Sequence, residues 1–156
     1  MPSSSKPGGR GAATAGQAGQ VLAVGLRATV RATVTEADTA EAMGSGDVPV
    51  LATPRLLALA EAAAIVAVGP SLGAGLTSVG TSVSLEHRLA SPLGADIDVE
   101  AELTEVDGRR LVFSFIARAA DTDEDVVIGA GTIERVVLDR ARFIARAGSG
   151  PGARAR

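Results

Sequence analysis

The chain has 156 residues, of which 46% are hydrophobic and 21% charged, a balance that suits one globular domain with its own core. A formal net charge of −3 and an aromatic content limited to three Phe argue against a nucleic-acid surface built on basic patches or base stacking. Cysteine is absent and His87 is the single histidine, which excludes disulfides, thiol nucleophiles, cysteine-ligated zinc and any multi-histidine metal site.

Residues 1–20 hold Gly, Ala, Ser and Gln without an apolar segment, so they are expected to form a disordered tail and not a signal peptide. Residues 147–156 read the same way. Between the tails, residues 21–146 are expected to form one domain. Leu22, Val24, Leu26, Ala28, Val30, Ala32 and Val34 alternate with polar residues, the pattern of a half-buried strand. Residues 36–48 are short, polar and Gly-containing, which suits a helical turn and a loop.

Thr53-Pro54 then predicts the start of a helix, with Thr53 as N-cap and Pro54 at the first helical position. Gly69-Pro70 predicts its end. From Leu56 to Val68 it reads LLALAEAAAIVAV, and Glu61 is its only polar side chain. A helix this apolar is expected to be buried on most sides. A membrane span needs about 20 apolar residues, and Glu61 interrupts this run, so no span is expected. Without a targeting signal the cytoplasm is the default compartment.

Four strands are expected next. Residues 76–90 place Val79, Thr81, Val83, Leu85, His87 and Leu89 on one face. Residues 96–106 set Ile97, Val99, Ala101 and Leu103 against Asp96, Asp98, Glu100 and Glu102. Asp107-Gly108 is a favoured tight hairpin turn. Residues 110–120 return with Leu111, Phe113, Phe115 and Ala117 inward. Residues 126–138 form the last strand, its outline broken by Gly129 and Gly131, and residues 139–146 form a short terminal helix. One strand, one apolar helix and four strands leave a single antiparallel sheet to wrap the helix. This is the α+β hotdog arrangement.

Three side chains stand out as chemistry. Burying the Glu61 carboxylate is costly unless it is partnered or shifts its pKa, so it is a candidate base or nucleophile. The bland alternative is a solvated helix face. Thr53 is most simply a cap, although a helix N-terminus also suits a thioester oxygen or an anion. His87 shares a face with Val83, Leu85 and Leu89. Alone it reads as a core residue, but a buried Glu on the helix beneath this strand offers it a partner for acid–base work.

The segments VLATPRLLALAEAAA, GTSVSLEHRLASPLG, VDGRRL and IGAGTIERVV, in order and with similar spacing, resemble the fluoroacetyl-CoA thioesterase family of hotdog proteins. The resemblance implies a homodimeric hydrolase of acyl-CoA or another acyl-thioester, with no cofactor beyond the coenzyme A of its substrate, while composition and charge already point to no metal and to neither nucleic acid nor membrane as partner. It implies Thr53, Glu61 and His87 as the catalytic set. Gly80 matches a glycine whose backbone lies near the substrate, and Arg135 matches an arginine near the pocket. One departure is visible. The fluoroacetyl-specific enzyme carries phenylalanines on a lid ahead of the Thr, whereas Glu41–Val50 here reads EAMGSGDVPV. Thioester hydrolysis therefore carries over better than fluoroacetate selectivity. The competing reading is a hotdog module that binds an acyl-thioester or another apolar ligand without turning it over. Hydration or dehydration of enoyl thioesters would need a different acid–base pair.

Overall fold

The computed structural model describes residues 22–150, so the tail expected over residues 1–20 and the last residues of the C-terminal tail lie outside it. In chain order the elements are β1 (Arg27–Thr33), a 3-10 turn (Glu36–Asp38), α1 (Ala40–Met43), α2 (Thr53–Val68), β2 (Leu76–His87), β3 (Asp96–Asp107), β4 (Arg110–Ala119), β5 (Val127–Asp139) and α3 (Arg140–Gly148). The strands form one sheet in the order β1-β3-β4-β5-β2, and every pairing is antiparallel. This is the hotdog arrangement, with α2 packed against one face of the sheet.

The alternation in β3 and β4 is borne out. Ile97, Val99, Ala101 and Leu103 are buried, as are Leu111, Phe113, Phe115 and Ala117. Pleating sends their neighbours outward. There Arg27 lies opposite Glu102 and Arg31 opposite Asp98, and each forms a cross-strand ion pair. Solvent screens such pairs, so they define the wet face more than they stabilise the sheet. β1 starts at Arg27 and not at Leu22, because Gly25 turns the chain with φ +101°. α3 runs to Gly148, past the expected helix end, and Asp139 caps it by accepting from Arg142 N at 2.9 Å.

α2 buries Leu56, Leu59, Ala60, Ala63, Ala64, Ala67 and Val68. These fall at three- and four-residue steps, one stripe of a helix. The alanines let the helix backbone lie close to the sheet. Burial is narrower than the composition suggests, since Ile65 and Val66 remain 49% and 54% exposed. By length and composition the run Thr53–Ser71 could cross a bilayer. In the fold it is the central helix of the sheet.

β2 departs from its expected pattern. Gly80 pairs with Arg135, but the next pair is Ser82 with Glu134, which makes Thr81 an extra residue in a bulge. A bulge flips the side-chain alternation beyond it. Ser78 and Gly80 therefore share the face of Val137 and Arg135, and after Thr81 that face passes to Val83, Leu85 and His87. Val79 and Thr81 do not share the face of His87. Leu89 lies beyond the end of the strand. β5 runs unbroken through Gly129 and Gly131, which pair with His87 and Leu85.

Candidate active site

The helix start positions the first pair. Ala52 is the N-cap of α2, with extended backbone at φ −69° and ψ 141° and no side-chain cap bond. Thr53 is thus the first helical residue and not the cap. Its hydroxyl is left free, and Oγ1 lies 2.8 Å from Nδ1 of His87, the last residue of β2. The other ring nitrogen, Nε2, is buried without a hydrogen-bond partner among the described residues. Burial holds the imidazole below its ordinary pKa of 6.5, against a smaller upward pull from the Leu89 backbone. The ring is accordingly neutral near pH 7 and able to accept a proton. A hollow of about 280 Å³ opens beside the pair, lined by Gly46, Val48, Val50, Thr53, His87 and Leu89 among others. The aromatic-free loop of residues 41–50 forms one of its walls.

The second pair lies farther along the same seam. Arg135 Nη1 donates to Glu61 Oε2 at 2.7 Å, Nε donates to Ser78 Oγ at 2.9 Å, and Nη2 donates to the Ser78 carbonyl at 2.9 Å. Arg135 is 4% exposed and Glu61 33% exposed, so the guanidinium is buried and the carboxylate sits on the rim. The expectation of a buried acid is corrected: Glu61 is one-third exposed and held by a charged partner that Ser78 anchors twice. The expected Glu61–His87 pair does not form. Each residue bonds to someone else, and the two pairs stand apart. Eight residues separate Thr53 from Glu61, about 12 Å of helix rise. α2 runs against β2, so Thr53 meets the end of that strand and Glu61 meets its middle.

Gly80 is where strand and acid touch. A Cβ built there would sit 2.7 Å from Glu61 Oε2 and 3.6 Å from Arg135 Nη1. Ser78 was not legible as a site residue. The bulge at Thr81 hides from simple alternation the fact that it faces Arg135. Among the described residues no group of three or more His, Cys, Asp or Glu is placed to hold a metal.

Residues 34–141 match the family model of the fluoroacetyl-CoA-specific thioesterase, a span that contains Thr53, Glu61, Gly80, His87 and Arg135. The chain belongs to this family. It is a thioester hydrolase by that membership. The fluoroacetyl-CoA thioesterase of Streptantibioticus cattleyicolor is 39% identical over 97 residues, which cover 62% of this chain and 67% of that protein. A threonine-to-serine variant of a fluoroacetyl-CoA thioesterase, solved in complex with acetyl-CoA, superposes with a TM-score of 0.75 at 30% identity over 82% of this chain and 98% of that one. A Thermus thermophilus protein of the thioesterase superfamily gives 0.71 at 27% identity over 79% and 88% of the two chains.

The Gly80 geometry carries a prediction for this family member. Gly80→Ala crowds the Glu61 carboxylate, which must move from its place beside Arg135 Nη1. Because Oε2 is the oxygen that Arg135 holds, the expected result is a lower melting temperature and, if Glu61 acts on the substrate, about a tenfold or greater loss of kcat. Steady-state kinetics beside a thermal melt test it. Full activity in the variant would show that the Glu61 position is not critical.

Proposed function

We propose that this protein hydrolyses acyl-CoA thioesters with Glu61 as base or nucleophile and with Thr53 and His87 acting together on the acyl group and the departing thiolate. The observation that carries this reading is the Thr53–His87 contact: a hydroxyl at a helix start that points to a neutral imidazole and caps nothing. The activity named for the related enzymes supports the substrate class. Thr53 holds the acyl oxygen, where the positive end of α2 opposes the charge that develops on it. Glu61 either takes a proton from water as that water attacks the carbonyl carbon, or attacks that carbon itself to expel the thiolate and form a mixed anhydride, which water then cleaves to the free acid and the restored carboxylate. As the carbon–sulfur bond breaks, the sulfur leaves as a thiolate, and the one proton that the attacking water gives up reaches it through His87, so Glu61 and His87 end the cycle in their starting states. Water is the only co-reactant, so the reaction needs no metal or further cofactor.

In one chain the two pairs are too far apart to meet on one carbonyl. We therefore read the active unit as a homodimer, with Glu61 of one protomer working beside Thr53 and His87 of its partner. The exposed apolar side chains Val66 and Val83 give such a dimer a surface to cover. Release of free thiol from a panel of acyl-CoAs is the direct test. No release from any member would leave only a binding role.

Two further outcomes follow from this reading. With His87 neutral at the start of the cycle, kcat/KM is expected to stay level from pH 8 down to the ordinary imidazole value of 6.5 and to fall only at lower pH, as the depressed pKa is passed and the ring becomes charged. A fall that begins above pH 7 contradicts a neutral His87. The second outcome concerns the acyl group. A loop without aromatics cannot seal a small pocket, and one small substituent in an open apolar site is worth about 1–3 kcal/mol. Fluoroacetyl-CoA and acetyl-CoA are therefore expected to differ by about a hundredfold at most in kcat/KM. A preference of many thousandfold for the fluorinated substrate would show that another element replaces the lid.

A further inference from the structure

We infer that a second hollow, at the C-terminal end of α2, receives the acyl chain, and that the preferred substrates carry unbranched acyl groups of about four to eight carbons. The inference rests on the proposed thioesterase reading and adds the substrate's length to it.

The hollow has a volume of about 270 Å³ and is lined by Ile65, Leu72, Leu76, Thr77 and Ser78, with Gly69 at its edge. Two features join it to the acid. Ile65 follows Glu61 by four residues on α2, so both lie on the same helix face about one turn apart. Ser78 precedes Gly80 by two residues on the same side of β2, and it is the residue that grips Arg135. An acyl carbonyl placed at the Glu61 carboxylate therefore points its tail either into solvent or along Ile65 into this hollow.

The lining chemistry favours a hydrocarbon. Leu72 and Leu76 are half-buried against the core, and Ile65 is left 49% exposed. The Ser78 hydroxyl and carbonyl are already taken by Arg135, and no charged side chain lines the walls. Few polar groups remain to recognise a polar ligand. The hollow beside Thr53 and His87 differs, because Arg88 and Ser45 stand at its rim and suit the more polar thiol arm of the substrate. One helical turn, about 5.4 Å, separates the acid from the hollow, which is why an acetyl group falls short of it and a butyryl group enters it.

The test uses acetyl-, butyryl-, hexanoyl- and octanoyl-CoA in two measurements. Hydrolysis is followed on the wild-type protein, and binding is followed by calorimetry on Glu61→Gln, which holds the thioester intact. From acetyl to hexanoyl, affinity and kcat/KM are expected to rise about three- to fourfold per methylene, the gain for burying one such group. Ile65→Phe fills the hollow from a half-exposed position and is expected to lower the hexanoyl-to-acetyl ratio at least tenfold. Ile65→Ala enlarges it and is expected to shift the preferred length upward. A flat or falling wild-type series, or a ratio unmoved in a folded Ile65→Phe, overturns the pocket even if acyl-CoAs are hydrolysed. Hydrolysis of none of them overturns the thioesterase reading, and the binding series then decides the pocket by itself.

Discussion

Glu61→Gln is expected to lower kcat by about a thousandfold or more, within the range for removing a positioned acid–base group or nucleophile. The amide keeps an oxygen for Arg135 Nη1, so the local geometry survives while proton acceptance and nucleophilicity are lost. The structure also determines the sign of the stability change. A desolvated, unpartnered carboxylate would make its removal stabilising, but Glu61 is the charged partner of a guanidinium that is itself only 4% exposed. Removing the carboxylate leaves Arg135 charged and buried against neutral atoms. Because Glu61 is one-third exposed, the full penalty for breaking a buried pair is softened to about 1–2 kcal/mol, a lower melting temperature in a protein that still folds. Single-turnover kinetics beside a thermal melt read both. Wild-type turnover in a folded variant would remove Glu61 from the chemistry.

The second large effect involves the other pair and the assembly. His87→Ala and Thr53→Ala are each expected to cost about a hundredfold in kcat/KM, with the double variant little worse than either, because groups acting as a unit fail together. Thr53→Ala also separates two roles. A capping threonine would lose about 1 kcal/mol of stability on replacement with turnover per folded molecule unchanged, but Thr53 caps nothing and bonds His87, so its loss is expected to show in turnover. Mixing the two inactive proteins tests the shared site. If Glu61 works with Thr53 and His87 of the partner, a mixed dimer of Glu61→Gln and His87→Ala contains one intact site. Random exchange of subunits should then restore about a quarter of wild-type activity. If all three residues act within one chain, mixing restores nothing. The mixture needs only unfolding and refolding together, and the readout is thiol release.

What the sequence determined by itself is what local geometry determines. Side-chain direction alternates along any regular strand, so the inward faces of β3 and β4 and the outward charges opposite β1 could be read from residue order alone. The helix could be read from its composition and its punctuation, and the family from motifs that survive as short words. Thr53, Glu61, Gly80, His87 and Arg135 were all named on those grounds. What only the tertiary structure decided depends on partners distant in sequence. Pairing with β5 sets Ser78 and Gly80 on the face of Arg135, and the extra residue Thr81 then brings Val83, Leu85 and His87 onto that same face. Glu61 and Arg135 are 74 residues apart, and nothing in either segment announces the other. The same holds for the free Thr53 hydroxyl: a threonine before a proline predicts a cap, and only the placement of His87 at the end of β2 gives it another partner. Pairing energy between distant groups is a property of the packed state, so it leaves no periodic trace in the chain.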